Sequence, residues 1–192
     1  MELASHNSWS YLKPKKWWMR LFGFAAKCQR VDIKTQYEKY GVRCFDLRVR
    51  FDYGMPIVSH GLAEYNITEV DLEKDLTWLD DKGDASVRVI LEIRKKKDYT
   101  SAQCALFRIY CDFLIRAFPN IKFWGGRCLY NWEREYTFKY MPTCEERHAS
   151  VCSPYLLDDW YPWLYAKSFN KDILLHGTSM DYLMIDFVDY QS

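Results

Sequence analysis

What the chain lacks narrows it first. No apolar run among its 192 residues approaches the roughly 20 needed to cross a bilayer as a helix. An excess of one charge is missing too, since 27 Lys plus Arg stand against 26 Asp plus Glu for a formal net charge of +1. A bulk electrostatic grip on nucleic acid is therefore not indicated, and no nucleic-acid partner is expected. There is no internal repeat, no low-complexity tract and no Pro/Gly/Ser linker, so residues 1–192 read as a single domain. Met1 is followed by Glu2, His6 and Asn7, with no basic segment leading into an apolar run. No secretory leader is read there, and secreted and cytoplasmic locations both stay open. Oligomeric state is left open as well.

CxxC pairs are also missing. The seven Cys (28, 44, 104, 111, 128, 144 and 152) are odd in number and cannot all pair internally. Several occupy core-like positions, such as Cys44 in VRCFDLRV, which reads as buried thiols in a reducing compartment. Cys144, His148 and Cys152 form C-x3-H-x3-C, which on a helix would share one face. Without CxxC pairs this is a lesser zinc candidate.

What is present is a globular composition, 49% apolar and 28% charged, with an unusual 18% aromatic residues. So many amphipathic rings suit a wet cleft, a sugar site or a membrane interface as well as a core. Residues 28–40 read as a helix stopped by Gly41. Val42–Val49 is a β-rich run, and Tyr53-Gly54 can turn it into a second strand, Pro56–Ser59. Residues 66–79 look helical, with Thr68 as N-cap and Asp71 three residues on. Val87–Ile93 has few polar breaks, as in a sheet covered on both faces. An amphipathic helix spans 99–117, and 127–132, 173–175 and 182–188 are further strand candidates. Strands alternating with helices indicate an α/β fold with a mainly parallel sheet.

Three polar clusters end strand-like segments: Ser5-His6-Asn7-Ser8, Phe45-Asp46-Leu47-Arg48 and Val58-Ser59-His60-Gly61. In a parallel barrel, strand ends converge on one face, where active sites form. Two His, an Arg and nearby carboxylates gathered there suit phosphate-ester chemistry. One imidazole removes a proton from a nucleophile and the other gives one to the leaving oxygen. A guanidinium holds the phosphoryl oxygens and offsets their growing charge. Taken singly, a His at a strand end is more often structural than catalytic. It is the order of the three clusters that carries weight.

In that order the sequence resembles the phosphatidylinositol-specific phospholipase C family, in its X-type catalytic domain. The first signature is Ala4-Ser5-His6-Asn7-Ser8-Trp9. The second is Gln36 followed by Gly41-Val42-Arg43-Cys44-Phe45-Asp46-Leu47-Arg48. The third is His60-Gly61 at the end of a hairpin, and the fourth is Val89-Ile90-Leu91-Glu92-Ile93-Arg94-Lys95. The match runs through residues 4–97 and resumes at Met184-Ile185-Asp186-Phe187-Val188.

The resemblance implies a compact, irregular TIM barrel of the phospholipase C-like phosphodiesterase type. Some helices of its second half should be missing or replaced by loops. It implies cleavage of phosphatidylinositol-type phospholipids to diacylglycerol and a cyclic inositol phosphate. Carried over, His6 is the general base, Asp186 orients it, His60 is the general acid and Arg48 clamps the phosphate, with Asn7 and Asp46 beside them. Arg94 or Lys95 and the Asp159-Trp160-Tyr161 segment are the inositol-binding candidates, with Asp159 and Tyr161 as the pair. A second Arg is sought near Trp132 and Arg134.

Calcium-dependent members carry carboxylates at the positions of Arg48 and Arg94. Arg48 is therefore expected to stand in the cation's place, as in the metal-independent bacterial branch, and no metal or other cofactor is expected, calcium being the disfavoured alternative, kept because calcium-dependent members resemble the sequence at Asn7. That branch has Asp where this chain has Asn7. Residues 13–24 mix basic residues with Trp17, Trp18, Leu21, Phe22 and Phe24, as an interfacial helix on anionic lipid would. An ordinary amphipathic helix packed on the barrel is the other reading of that segment. The rings of 9–24 and 155–169 are expected at the active-site rim. Two other readings stay open: a related barrel phosphodiesterase on another glycerophosphodiester or phospholipid head group, and a catalytically weak lipid-head-group binding module.

Overall fold

A computed structural model describes residues 1–22, 24, 26–93, 98–130, 134–136, 139–151, 161–175 and 179–191. The strands are β1 (Glu2–Ser5), β2 (Val42–Asp52), β3 (Met55–His60), β4 (Ala63–Glu64), β5 (Ser86–Ile93), β6 (Lys122–Tyr130), β7 (Arg134–Tyr136), β8 (His148–Val151) and β9 (Tyr182–Ile185). The helices among the described residues are α1 (Trp17–Phe22), α2 (Ile33–Tyr40), α3 (Glu69–Lys82), α4 (Ser101–Ala117) and α5 (Pro162–Leu175). The fold is mixed α/β.

One sheet runs in the order β7-β6-β5-β2-β1-β9-β8, with β3 hydrogen-bonded to β2 and β4 to β3. From β6 to β8 every neighbouring pair is parallel. The sheet curls into a half-barrel. Arg88 on β5 reaches across β2 and β1 to the Met184 sulfur on β9 at 4.0 Å. The Trp124 ring on β6 lies 4.8 Å from the His148 ring on β8, although four strands intervene along the sheet.

Alternation sorts each strand between the two faces. On β2, Phe45, Leu47 and Val49 join the main core, while Asp46 and Arg48 occupy the other face, inside the curl. On β5, Val87, Val89, Leu91 and Ile93 face the core, and Arg88, Ile90 and Glu92 alternate with them. The core is closed from outside by helix faces, including Leu72, Leu76 and Leu79 of α3 and Phe107, Cys111 and Leu114 of α4. Each such side chain contributes about 1.5–3 kcal/mol by leaving water.

Local signals place the helix ends. The Thr68 hydroxyl accepts from the Asp71 backbone N–H at 3.1 Å, as read from the sequence. Gly41 takes φ 72°, a left-handed conformation that ends α2 and starts β2 at once. Between β6 and β8 no helix occurs among the described residues.

Several expectations are corrected. Residues 28–32 are not helical, because Ser10 and Gln29 bind that backbone into the site; α2 begins at Ile33. Residues 173–175 finish α5 instead of forming a strand, continuing the α5 run from Pro162. β6 starts at Lys122, five residues earlier than read, and β9 stops at Ile185, before Asp186. Residues 144–151 form no helix, since His148 opens a strand paired to β9, so the C-x3-H-x3-C face does not exist. Trp9 is core, not rim: it is fully buried, and its indole donates to Asp75 at 3.0 Å. Cys28, Cys44, Cys111 and Cys128 are buried and no disulfide occurs among the described residues. No helix among them is long and apolar enough to cross a membrane.

Candidate active site

Strand register builds the site. β1 and β9 are parallel with Ser5 beside Ile185, so the next residues, His6 and Asp186, emerge side by side. Both strands then turn away sharply, with Asn7 at φ 44° and Phe187 at φ 48°. Non-glycine residues adopt such angles at a cost, and strain of this kind clusters at functional sites. On the other side of β1, Ala4 pairs with Cys44 and Ser5 with Phe45, which brings Asp46 level with His6. The β2–β3 hairpin pairs Val49 with Val58 and so folds His60 back towards the same level.

Short contacts link the polar groups. His6 Nδ1 lies 2.7 Å from Asp186 Oδ1, and His6 Nε2 lies 2.7 Å from Arg48 Nη2. A guanidinium only donates, so Nε2 accepts and Nδ1 carries the proton given to Asp186. His6 is thus a neutral imidazole with its lone pair turned inward. The His60 ring stands edge-on to it, with centroids 5.5 Å apart. His60 Nδ1 donates to the Ala26 carbonyl at 3.1 Å and lies 3.9 Å from the Cys28 sulfur.

Arg48 is the hub. Its Nε donates to Asp46 Oδ2 at 2.7 Å, and its Nη1 lies 3.5 Å from Glu92 Oε2. Burial pushes the Asp46 carboxyl up, but Arg48 and Arg88 outweigh it and hold the group well below the usual carboxylate range. Burial opposes the Arg48 charge too, and Asp46 and Glu92 more than offset it. For His60, burial pushes the imidazole below its ordinary value. Glu92 pulls the other way, while Arg48 adds to the lowering.

The surrounding chain holds these groups in place. Asn7 and Ser8 fix Asp46: the Asn7 backbone N–H donates to its carboxylate at 3.1 Å, and the Asp46 N–H donates to Ser8 Oγ at 2.8 Å. The Gln29 amide donates to the carbonyls of His6 and Ile185, each at 3.1 Å, and accepts from the Val188 N–H at 3.1 Å. Asn170 of α5 donates to the Asp186 carbonyl at 2.7 Å. Glu92 accepts from the Gly61 N–H, locking the turn after His60.

All six catalytic candidates, His6, Asn7, Asp46, Arg48, His60 and Asp186, lie together here, Asn7 through its backbone. Its side-chain amide is buried near Tyr65 with neither polar atom in an ordinary hydrogen bond. Arg94, Lys95, Asp159, Trp160, Trp132 and Cys152 lie outside the described residues. Tyr161 is half-exposed and stacks on Phe24, with ring centroids 5.3 Å apart at 12°. Trp17 is 72% and Trp18 38% exposed, on a helix of six residues. Sequence reasoning did not assign Glu92, Arg88, Gln29 or Cys28 to the site. Arg88 and Glu92 were visible as charged residues at alternate places in an otherwise apolar strand. Gln29 and Cys28 carried no such signal.

Among the described residues, one donor set could take a metal: His6, Cys28 and Asp186 bring ligand atoms within 4.8 Å of one another. The His/Cys/Asp types suit zinc. However, a metal on His6 Nδ1 would leave a proton on Nε2, pointing at the Arg48 donor 2.7 Å away. Two donors would then face each other in a buried site, which the proton-carrying dyad avoids. No protein-family model matches the chain, and no curated protein matches it.

Proposed function

We propose that this chain is a phosphodiesterase of the phosphatidylinositol phospholipase C type, acting as a phosphorus–oxygen lyase on an inositol phospholipid. In that reading the half-barrel sheet belongs to an irregular TIM barrel. The observation that carries it is the chain Asp186–His6–Arg48–Asp46 with His60 facing it, five side chains from four strands or strand ends meeting inside the curl. Acid, base and clamp are the set that phosphodiester cleavage requires.

The chemistry follows from the tautomers. His6 Nε2 takes the proton of the inositol 2-hydroxyl, and Asp186 stabilises the imidazolium that forms. The freed oxygen attacks phosphorus. The bond to the diacylglycerol oxygen breaks, and that oxygen takes the Nε2 proton of His60 in its imidazolium form, which the bound phosphodiester anion favours; His60 is left neutral with its remaining proton on Nδ1, towards the Ala26 carbonyl. The products are a cyclic inositol phosphate and diacylglycerol. Arg48 draws charge from the phosphoryl oxygens, kept in position by Asp46 and Glu92.

The reading needs no metal. The Arg48 guanidinium sits between Asp46 and Glu92, where a cation bridging those two carboxylates would have to stand. Trp17, Trp18 and Leu21 are exposed on α1 among Lys15, Lys16 and Arg20, which supports peripheral contact with an anionic lipid surface.

Phosphorus NMR of the products formed from phosphatidylinositol tests this, with phosphatidylcholine and glycerophosphoinositol as rival substrates. The expected result is a cyclic phosphate from phosphatidylinositol alone, lost in His6→Ala and His60→Ala and unchanged by EGTA. Turnover that persists in His6→Ala, or that stops with EGTA, overturns the mechanism.

A further inference from the structure

A thiol stands beside the base, and the proposed reaction does not use it. The donor atoms of His6, Cys28 and Asp186 lie within 4.8 Å of one another, and all three residues are largely buried. The Cys28 sulfur is also 3.9 Å from His60 Nδ1, whose proton the Ala26 carbonyl takes. Thiolate, imidazole and carboxylate together suit zinc, whereas calcium and magnesium are bound by oxygens.

The backbone ties the three donors into one frame. The Phe187 N–H, next after Asp186, donates to the Cys28 carbonyl at 2.6 Å, and the Cys28 N–H donates to Ser10 Oγ at 2.9 Å. Gln29 cross-braces them, since its amide holds the carbonyls of His6 and Ile185. An entering ion therefore meets ligands already placed, and little chain has to be ordered around it. Ligand atoms around tetrahedral zinc stand about 3.4–3.6 Å apart. From the present 2.7 Å the His6–Asp186 pair must open by about 0.7 Å, and the sulfur must close in by up to about 1.2 Å. Both shifts are within the reach of side-chain rotation.

We infer, resting its inhibitory effect on the phosphodiesterase reading above, that His6, Cys28 and Asp186 form an inhibitory zinc site. Zinc on His6 Nδ1 displaces the proton that Nδ1 gives to Asp186. That proton passes to Nε2, and the Cys28 thiol releases its own to solvent. Three protein ligands then hold the ion, and water fills the fourth position. Nε2 has no lone pair left for the inositol hydroxyl, so the base is switched off. The same proton faces the Arg48 donor at 2.7 Å, which opposes zinc as long as Arg48 rests on His6. A phosphodiester oxygen that draws Nη2 away removes this opposition and can accept from Nε2. Zinc and a phosphodiester anion therefore strengthen one another's binding, by the same factor in each direction.

The test reads metal binding apart from turnover. Cobalt(II) chloride is titrated into the full chain, with zinc chloride as competitor, and the thiolate-to-cobalt absorption in the near ultraviolet is followed. The titration is repeated in sodium dimethyl phosphate and in sodium chloride at matched ionic strength. The expected result is a saturable band that zinc abolishes and that is lost in Cys28→Ser, or in Cys28→Ala if the serine variant does not fold. Binding should weaken at least about tenfold in Asp186→Asn, since even outer-shell partners of a metal are worth that much. It should tighten in dimethyl phosphate. No saturable band, or a band that survives the Cys28 variants, overturns the site. Affinity left unchanged or lowered by dimethyl phosphate overturns the coupling through Arg48. Zinc that binds but leaves phosphatidylinositol turnover unchanged overturns the inhibition. A chain that binds cobalt in this way but never cleaves phosphatidylinositol keeps the metal site and overturns the phosphodiesterase reading instead.

Discussion

Asp186→Asn isolates the hydrogen bond on which the base depends. The carboxylate accepts from His6 Nδ1 at 2.7 Å and is buried, so the bond is charge-assisted and worth about 1.5–3 kcal/mol. An amide fits the same space but offers Nδ1 a neutral oxygen in place of the carboxylate. Turning its N–H towards Nδ1 instead would push the imidazole proton to Nε2, against the Arg48 donor at 2.7 Å. Either way the imidazolium that forms when His6 takes the substrate proton loses its charged partner. Loss of general-base catalysis lowers kcat roughly 10²–10⁴-fold. The fold should survive, because the Asp186 backbone stays held by Asn170. Turnover is read by phosphorus NMR on phosphatidylinositol vesicles, and the tautomer by long-range nitrogen–proton correlation of the imidazole. Near-parental turnover in Asp186→Asn would refute the reasoning. So would a parent protein whose His6 carries its proton on Nε2.

Three further outcomes are expected. Gln29→Ala orphans three buried backbone groups at once and should destabilise the chain by about 3 kcal/mol or more in urea unfolding; a loss below about 1 kcal/mol would show that water replaces the side chain. His60 is pushed below its ordinary value when folded, so the unfolded chain takes up its proton first, and stability should decline as pH falls through about 6.5. That decline should be shallower in His60→Gln, and identical slopes in urea titrations across pH would refute it. Burying part of the exposed Trp17 and Trp18 rings in lipid is worth about 1–2 kcal/mol each. The double Ala variant should then bind anionic vesicles about 30- to 900-fold more weakly, while cleaving a soluble substrate normally.

Much of this site is legible in the first 60 residues because strand alternation is a local rule. Asp46 and Arg48 are two apart, so they must share a face, and the apolar residues between and around them say which face is core. The turn at Tyr53-Gly54 likewise announces the hairpin that brings His60 back. The partnership of His6 with Asp186 is different. It depends on which strand lies beside β1, 180 residues away, so no local pattern supplies it; the family resemblance implied it, and the order β2-β1-β9 sets the two residues side by side. Gln29 illustrates the limit. A polar residue in a helical-looking window reads as surface, yet its amide is consumed by three backbone groups that no local pattern brings near. Those bonds outweigh the helix propensity of 28–32. The thiol-rich C-x3-H-x3-C stretch fails for the same reason, since pairing with β9 sets its conformation and its spacing does not.

The contact between Arg48 and His6 also sets an order of events for the proposed reaction. With no anion bound, the guanidinium donates to the lone pair that must later accept a proton, so the base is covered by the clamp. Arg48 cannot simply leave, because Nε is fixed on Asp46 and Nη1 faces Glu92. It can turn about those anchors. A phosphodiester oxygen offers Nη2 a charged acceptor in exchange for a neutral one, and charge-assisted hydrogen bonds are roughly twice as strong as neutral ones. Binding of the phosphate would therefore uncover Nε2 in the same movement that fixes the phosphate beside it. A ligand without a negative charge would leave the base covered, so discrimination for anionic esters would precede any contact with the inositol ring. Lys at position 48 could not divide these duties, because a single ammonium lacks the rigid fork that holds Asp46 with one arm and releases His6 with another.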